Sequence, residues 1–128
     1  MKFSGKMVLV VDDDERFIRL MKLYLEELDL IVESCESLKE TYEVLDTYSP
    51  DLVLLDLNMT NEFGGEFLVL RNENKKLKKI PVCICSANQD YMIAKTVIDL
   101  GVNDYIVKPV EKDLLLKKVS KILKRSEV

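Results

Sequence analysis

Two short runs, Met7–Val11 (MVLVV) and Leu52–Leu55 (LVLL), restrict this chain more than any other feature, because neither has a polar residue on either of its alternating faces. Successive side chains of a strand point to opposite sides, so such a run must be covered on both. That suits a central strand of a parallel sheet with helices on each side, not a strand with one wet face. Each run ends in acid: Asp12, Asp13, Asp14 and Glu15 follow the first, and Asp56 follows the second. In open parallel sheets the ligand crevice lies beyond the carboxyl ends of the strands, which makes Asp56 the candidate active-site residue. An Asp at a strand end is also an ordinary turn starter or helix cap. Capping accounts for one or two of the four acids after the first run, but adjacent carboxylates repel one another, which a helix start does not require.

The remaining stretches alternate in the same way. Ile18, Met21, Leu25 and Leu28, flanked by Phe17 and Tyr24, predict a first helix over Arg16–Leu28. Leu30–Ser34 reads as a second strand, and Ser37-Leu-Lys-Glu40 has the form of a capping box opening a second helix with Leu38, Tyr42 and Leu45 on its buried stripe. Ser49-Pro50-Asp51 turns the chain into LVLL. Past Met59 a polar loop reaches Gly64-Gly65, and Phe67, Leu68 and the stretch Leu70–Leu77 predict a third helix, weakened by Asn72 and Asn74. Its tail, Lys75, Lys76, Lys78 and Lys79, reads as a solvated helix end complementing the dipole, in preference to a phosphate site. Pro81–Cys85 is a fourth strand ending in Ser86-Ala87-Asn88, and Tyr91–Leu100 a fourth helix stopped by Gly101 as a left-handed cap. Asn103–Val107 is a fifth strand followed by Lys108-Pro109, and Glu111–Lys124 a last helix burying Leu115, Val119 and Ile122. Five strands alternating with five helices predict one α/β domain over residues 1–128, a doubly wound five-stranded parallel sheet.

Composition narrows the function. With 19 basic and 23 acidic residues the net charge is -4, so the chain offers no overall attraction to nucleic acid or to an anionic membrane. No run is long and apolar enough to span a bilayer. The three cysteines, Cys35, Cys83 and Cys85, lie in apolar stretches with no secretory signal before them, a pattern of a reducing, cytoplasmic compartment. Cys83-x-Cys85 has too few companions for structural zinc, since the chain has no histidine.

What remains unusual collects at one edge of the predicted sheet. Asp12 and Asp13 follow the first strand, Asp56 the third, Ser86 the fourth and Lys108 the fifth. If the first and third strands are neighbours, three carboxylates converge and need a compensating cation, for which hard oxygen donors suit Mg²⁺. A cation draws phosphate, Lys108 adds a second positive point and Ser86 a hydroxyl donor, the equipment for a phosphoryl group arriving at a carboxylate.

The ordered set resembles the receiver domain of two-component response regulators, the CheY-like, flavodoxin-like fold, over essentially the whole chain, and the resemblance implies the strand order 2-1-3-4-5. It consists of Asp12-Asp13, Asp56 in LLDLNM, Gly64-Gly65, Ser86-Ala87, and Asp104-Tyr105 with Lys108-Pro109. The resemblance implies that Asp56 is the phospho-acceptor, Asp13 a direct Mg²⁺ ligand, Asp12 an acid acting through water and Asn58 a ligand through its backbone carbonyl. Ser86 and Lys108 would contact the phosphoryl oxygens, and Lys108-Pro109 resembles the family's cis peptide. Ser86 and Tyr105 would form the switch, Tyr105 turning inward as Ser86 moves to the phosphate. One departure stands in the loop: Thr60 follows Met59 where the family usually has proline, which bears on the loop's rigidity and leaves every proposed ligand in place.

The expected partners are a sensor histidine kinase or phosphotransfer protein upstream and an effector protein or output domain downstream. Binding would use the surface of the fourth helix, fifth strand and fifth helix, with Lys95, Asp99, Asp104 and Lys118 at its rim and a phosphorylation-dependent homodimer as one use of it. By the same resemblance Asn58 and Asn88, which flank the acceptor and can orient water, imply an intermediate phospho-aspartate lifetime. A Met1 start and a basic last helix fit a stand-alone regulator as well as the receiver of a longer protein. The chain is expected to turn over no external metabolite. A Mg²⁺-dependent phosphohydrolase working through an aspartyl-phosphate would place an acid where Asn58 stands and would need a cap for which there is little length. A degenerate receiver serving as a constitutive adaptor would lack site residues that are all present here.

Overall fold

Alternate residues of the apolar runs part to opposite sides of one sheet. Val8, Val10, Leu52, Leu54, Cys83 and Cys85 face one layer, where they meet Ile18, Met21 and Leu25 of the first helix and Leu115, Val119, Ile122 and Leu123 of the last. Leu9, Val11, Val53, Leu55, Val82 and Ile84 face the other, against Leu38, Leu45, Phe67, Leu68 and Val97. Each such side chain taken fully from water contributes about 1.5–3 kcal/mol, so the period-2 register is held by both faces at once. A single shift would exchange the two cores.

The computed structural model describes residues 2–126. In order these form β1 (Met7–Val11), α1 (Glu15–Leu25), β2 (Ile31–Cys35), α2 (Leu38–Thr47), β3 (Leu52–Leu55), β4 (Asn58–Met59), β5 (Glu62–Phe63), α3 (Glu66–Glu73), β6 (Val82–Ser86), α4 (Tyr91–Asp99), β7 (Asp104–Val107) and α5 (Lys112–Ser126). The five-stranded sheet runs β2-β1-β3-β6-β7, every pairing parallel, which is the expected 2-1-3-4-5 order of a doubly wound domain. β4 and β5 form a separate two-stranded antiparallel ribbon within the loop after Asp56, an element that the sequence pattern did not announce. No helix among the described residues is long and apolar enough to cross a membrane.

Most boundaries differ from expectation by a residue or two, and two differ for a local reason. The predicted helix over Arg16–Leu28 is α at Glu15–Leu25 and continues as a 3₁₀ turn, Glu26–Leu28, ended by Asp29 in the left-handed region at φ 59; Asp tolerates that region better than most residues do. The helix expected to run on to Leu77 stops at Glu73, because the Asn74 side chain accepts from the amides of Lys76 and Leu77 and starts a new turn. Ser37 caps α2 by accepting from the Glu40 amide and Gly101 takes φ +94 beyond α4, both as read, and Asp14 is the one of the four acids that caps α1. Tyr42 is half-buried, and the fully buried companion of Leu38 and Leu45 on α2 is Thr41. The cysteines are buried core residues with Cys35 on the layer opposite Cys83 and Cys85, and burial pushes the Cys35 thiol up to about 11.

One buried charge was not foreseen. Arg71 is only 4% exposed, and its guanidinium donates to the carbonyls of Ile80 at 3.2 Å, Leu100 at 3.4 Å and Gly101 at 3.2 Å. Carbonyls at a helix end carry partial negative charge, so the cation ties α3 to the chain just past the C-terminal end of α4. Arg71→Met keeps the apolar stem and strands those acceptors; it is expected to cost about 1–3 kcal/mol in urea unfolding, whereas an unchanged midpoint would show that water replaces the guanidinium without loss.

Candidate active site at the carboxyl edge of the sheet

Pairing register builds the site. Val11 of β1 lies opposite Leu55 of β3, so the residues that follow them, Asp12 and Asp56, leave the sheet side by side; the Asp56 amide donates to the Val11 carbonyl at 3.0 Å. On the other flank Ser86 of β6 pairs with Val107 of β7, and the Lys108 amide donates to the Ser86 carbonyl at 2.9 Å. All the edge residues singled out from sequence except Tyr105 thus follow directly from where their strands end. The Lys108–Pro109 peptide is cis.

Lys108 is the electrostatic centre. Its Nζ lies 2.7 Å from Asp12 Oδ2, 3.6 Å from Asp56 Oδ2 and 4.1 Å from the centroid of the Phe17 ring. Burial pulls this ammonium down, but the hydrogen bond and charge of Asp12 outweigh it and its affinity for the proton rises above the ordinary lysine value. Asp56 behaves in the opposite sense: burial pushes its carboxyl up, and the pull of Lys108 downward does not fully compensate. Ser86, wholly buried, lowers Asp56 somewhat through a side-chain hydrogen bond and accepts from the Asn88 amide at 3.2 Å.

Asp12, Asp13 and Asp56 each present a carboxylate oxygen, and these oxygens lie within 4.8 Å of one another. Three hard anionic donors this close fit a divalent cation with oxygen preference, since Lys108 alone is too little positive charge for them. Asn58 enters the site from β4, its amide donating to Asp56 Oδ1 at 3.3 Å. The loop bends back tightly after it: the Gly64 amide donates to the Leu57 carbonyl at 2.6 Å, and a Cβ at Gly64 would be driven into the Asp56 carbonyl oxygen. Only glycine permits that approach.

Five side chains act here in ways that the sequence did not reveal. Thr60, read as a loop departure without effect on the proposed ligands, donates both its amide and its hydroxyl to Asp13 Oδ2, each at 2.6 Å, and these bonds hold the Asp13 carboxyl below its usual range. Glu62 reaches the Leu38 amide at 3.0 Å, joining the β4–β5 ribbon to the start of α2. Phe17, counted only as part of an apolar stripe, covers the Lys108 ammonium. Asn58 and Asn88, read as flanking the acceptor, bond one another across the site at 2.9 Å. The signal available for Phe17 was its place one turn past the acid cluster; Thr60 gave none beyond being a donor in the acidic loop.

Tyr105 is half-buried, and its hydroxyl donates to the Asn88 carbonyl at 2.6 Å. Its ring packs against the layer containing Ile84 and Val97. The rim residues Asp104 and Lys118 are paired with each other at 2.7 Å.

A flavodoxin-like α/β domain with acids converging where the strand order reverses, between β1 and β3, is of the CheY-like class. The family model of the response regulator receiver domain matches residues 8–120, and the chain belongs to that family. Among curated proteins it is 31% identical over 116 residues to the CAI-1 autoinducer sensor kinase/phosphatase CqsS of Vibrio cholerae, covering 90% of this chain and 17% of that one. It is 28% identical over 124 residues to the alkaline phosphatase synthesis transcriptional regulatory protein PhoP of Bacillus subtilis, covering 97% of this chain and 51% of that one. The chain therefore spans about half of the length of one of these relatives and less than a fifth of the other. Among solved structures, the Francisella response regulator 1452 receiver domain superposes with a TM-score of 0.84 at 28% identity, covering 95% of this chain and 99% of that one. A CheY-like receiver domain protein from Methanospirillum hungatei does so with 0.88 at 24%, covering 97% and 98%.

Proposed function

We propose that this receiver domain is a phosphorylation-controlled switch whose acceptor is Asp56, phosphorylated in a Mg²⁺-dependent reaction by a histidine kinase or phosphotransfer protein. The observation that carries the reading is the convergence of Asp12, Asp13 and Asp56 beside the Lys108 ammonium. Transfer breaks the P–N bond of a phosphohistidine, or the P–O bond of a small acyl phosphate, whose leaving group keeps the electron pair; a P–O bond forms to an Asp56 carboxylate oxygen. Asp12, Asp13, Asp56 and the Asn58 backbone carbonyl would hold Mg²⁺, which supplies charge neutralisation between carboxylates and phosphate when bound. Lys108 would leave Asp56 for a phosphoryl oxygen, and the Ser86 hydroxyl would donate to another. The domain transfers and loses its own phosphoryl group and turns over no external metabolite.

The outgoing signal follows from the same contacts. Movement of Ser86 toward phosphate disturbs its bond from the Asn88 amide, and with it the carbonyl that accepts from Tyr105. The surface of α4, β7 and α5, with Tyr91, Met92, Val107 and Leu114 exposed, then changes in population rather than in fold and receives an effector, an output domain or a second copy. The bond between Asn58 and Asn88 must open before either can orient water, in keeping with an intermediate phospho-aspartate lifetime.

Incubation with acetyl phosphate and Mg²⁺ is expected to add the mass of one phosphoryl group, stable in acid and lost in alkali. No gain under those conditions or with a histidine phosphodonor would overturn the reading.

A further inference from the structure

We infer that Thr60 is an internal competitor for the Asp13 carboxylate and thereby sets how tightly the site takes a divalent cation. The inference rests on the Mg²⁺ reading above but concerns a residue outside its proposed ligands. Asp13 Oδ2 accepts from both the Thr60 amide and the Thr60 hydroxyl at 2.6 Å. A carboxylate oxygen has two lone-pair directions, and both are taken. Magnesium demands near-octahedral geometry with oxygens at about 2.0–2.1 Å. To use this oxygen it must displace at least one donor from Thr60, and the free protein is stabilised by the bonds that are lost.

The surroundings permit the exchange. Thr60 is exposed at the tip of the β4–β5 ribbon and packs in neither core, so its release costs no buried contact. The ribbon is anchored independently by Glu62 on the Leu38 amide at 3.0 Å and by the Gly64 amide on the Leu57 carbonyl at 2.6 Å. Capture of a cation at Asp13 therefore moves the tip of the ribbon while its base stays held at the start of α2 and at Leu57. A hydroxyl at this position makes cation entry a conformational event and not a simple filling of a preformed cage.

The test is a Mg²⁺ titration followed by amide chemical shifts in the intact chain, comparing the wild type with Thr60→Val, Thr60→Ser and Asp13→Asn. Valine matches threonine in shape and keeps the amide but removes the hydroxyl, so Thr60→Val is expected to bind Mg²⁺ about threefold to tenfold more tightly. Thr60→Ser, which keeps both donors, should titrate like the wild type, and Asp13→Asn should bind more weakly than either. In the wild type the Thr60 amide resonance should move as Mg²⁺ saturates. Saturable binding of equal or lower affinity in Thr60→Val would overturn the competition and leave the metal reading standing. No saturable response in any variant would remove the metal reading and the competitor with it.

Discussion

Replacing the candidate acceptor, Asp56→Asn, is expected to reduce phosphoryl uptake to background and at the same time to make the protein more stable at neutral pH. The first effect follows because Asp12 and Asp56 are the buried carboxylates among the described residues, and Asp12 is tied at 2.7 Å to the Lys108 ammonium, which stands farther off, at 3.6 Å, from Asp56. The second follows from burial, which raises the Asp56 carboxyl above its unfolded value despite the pull of Lys108. The folded protein then holds the Asp56 proton more tightly than the unfolded chain does. Stability falls as pH rises from the unfolded value through the raised folded one, and the full penalty persists above both. A neutral amide of the same shape escapes that penalty and leaves Lys108 its 2.7 Å bond to Asp12. Thermal unfolding should therefore show a higher Tm for Asp56→Asn at neutral pH, with the gap closing as pH drops below the carboxylate range. Intact-mass measurement with acetyl phosphate and Mg²⁺ checks the chemistry; retained phosphate on the variant would move the acceptor elsewhere, and a lower Tm would mean that Lys108 more than compensates the burial.

Lys108→Met should have the opposite effect on stability. The side chain of Asp12 is 1% exposed and that of Asp56 7%, and Lys108 is the ammonium that both face. Removing one partner of a buried pair leaves charge without compensation and costs about 3–5 kcal/mol in fully buried cases; with a fifth of the Lys108 side chain in solvent, about 2–4 kcal/mol is expected here. The ammonium is raised in the folded state, so its contribution is present throughout the neutral range and fades only as pH rises through its own raised value. At low pH the deficit of the variant should also shrink, because Asp56, whose carboxyl is raised by burial, protonates and no longer needs a cation. Mg²⁺ should recover part of the lost stability by binding the folded form alone. Urea unfolding with and without Mg²⁺ across pH measures all three effects, and a variant as stable as the wild type at neutral pH would show that solvent already screens these carboxylates.

Sequence alone determined the layers and the edge at which function collects. Continuous apolar runs need cover on both faces, and this requirement is local: MVLVV and LVLL could be placed in the centre of a parallel sheet without knowing any contact. The end of each run then assigned Asp12, Asp56, Ser86 and Lys108 to one rim, because a strand terminus is where polar side chains can reach water from a rigid scaffold. What tertiary structure decided is which of these groups bond to which. The Lys108 bond to Asp12 joins residues 96 apart, and that of Thr60 to Asp13 spans 47. Neither choice has a periodic or compositional trace. The same holds for Arg71 on the chain just past the end of α4, for Phe17 over an ammonium, and for Tyr105 held to the Asn88 carbonyl. Hydrophobic period is written in neighbouring residues, whereas a hydrogen bond needs about 3 Å between atoms whose separation is settled only when the whole sheet has closed.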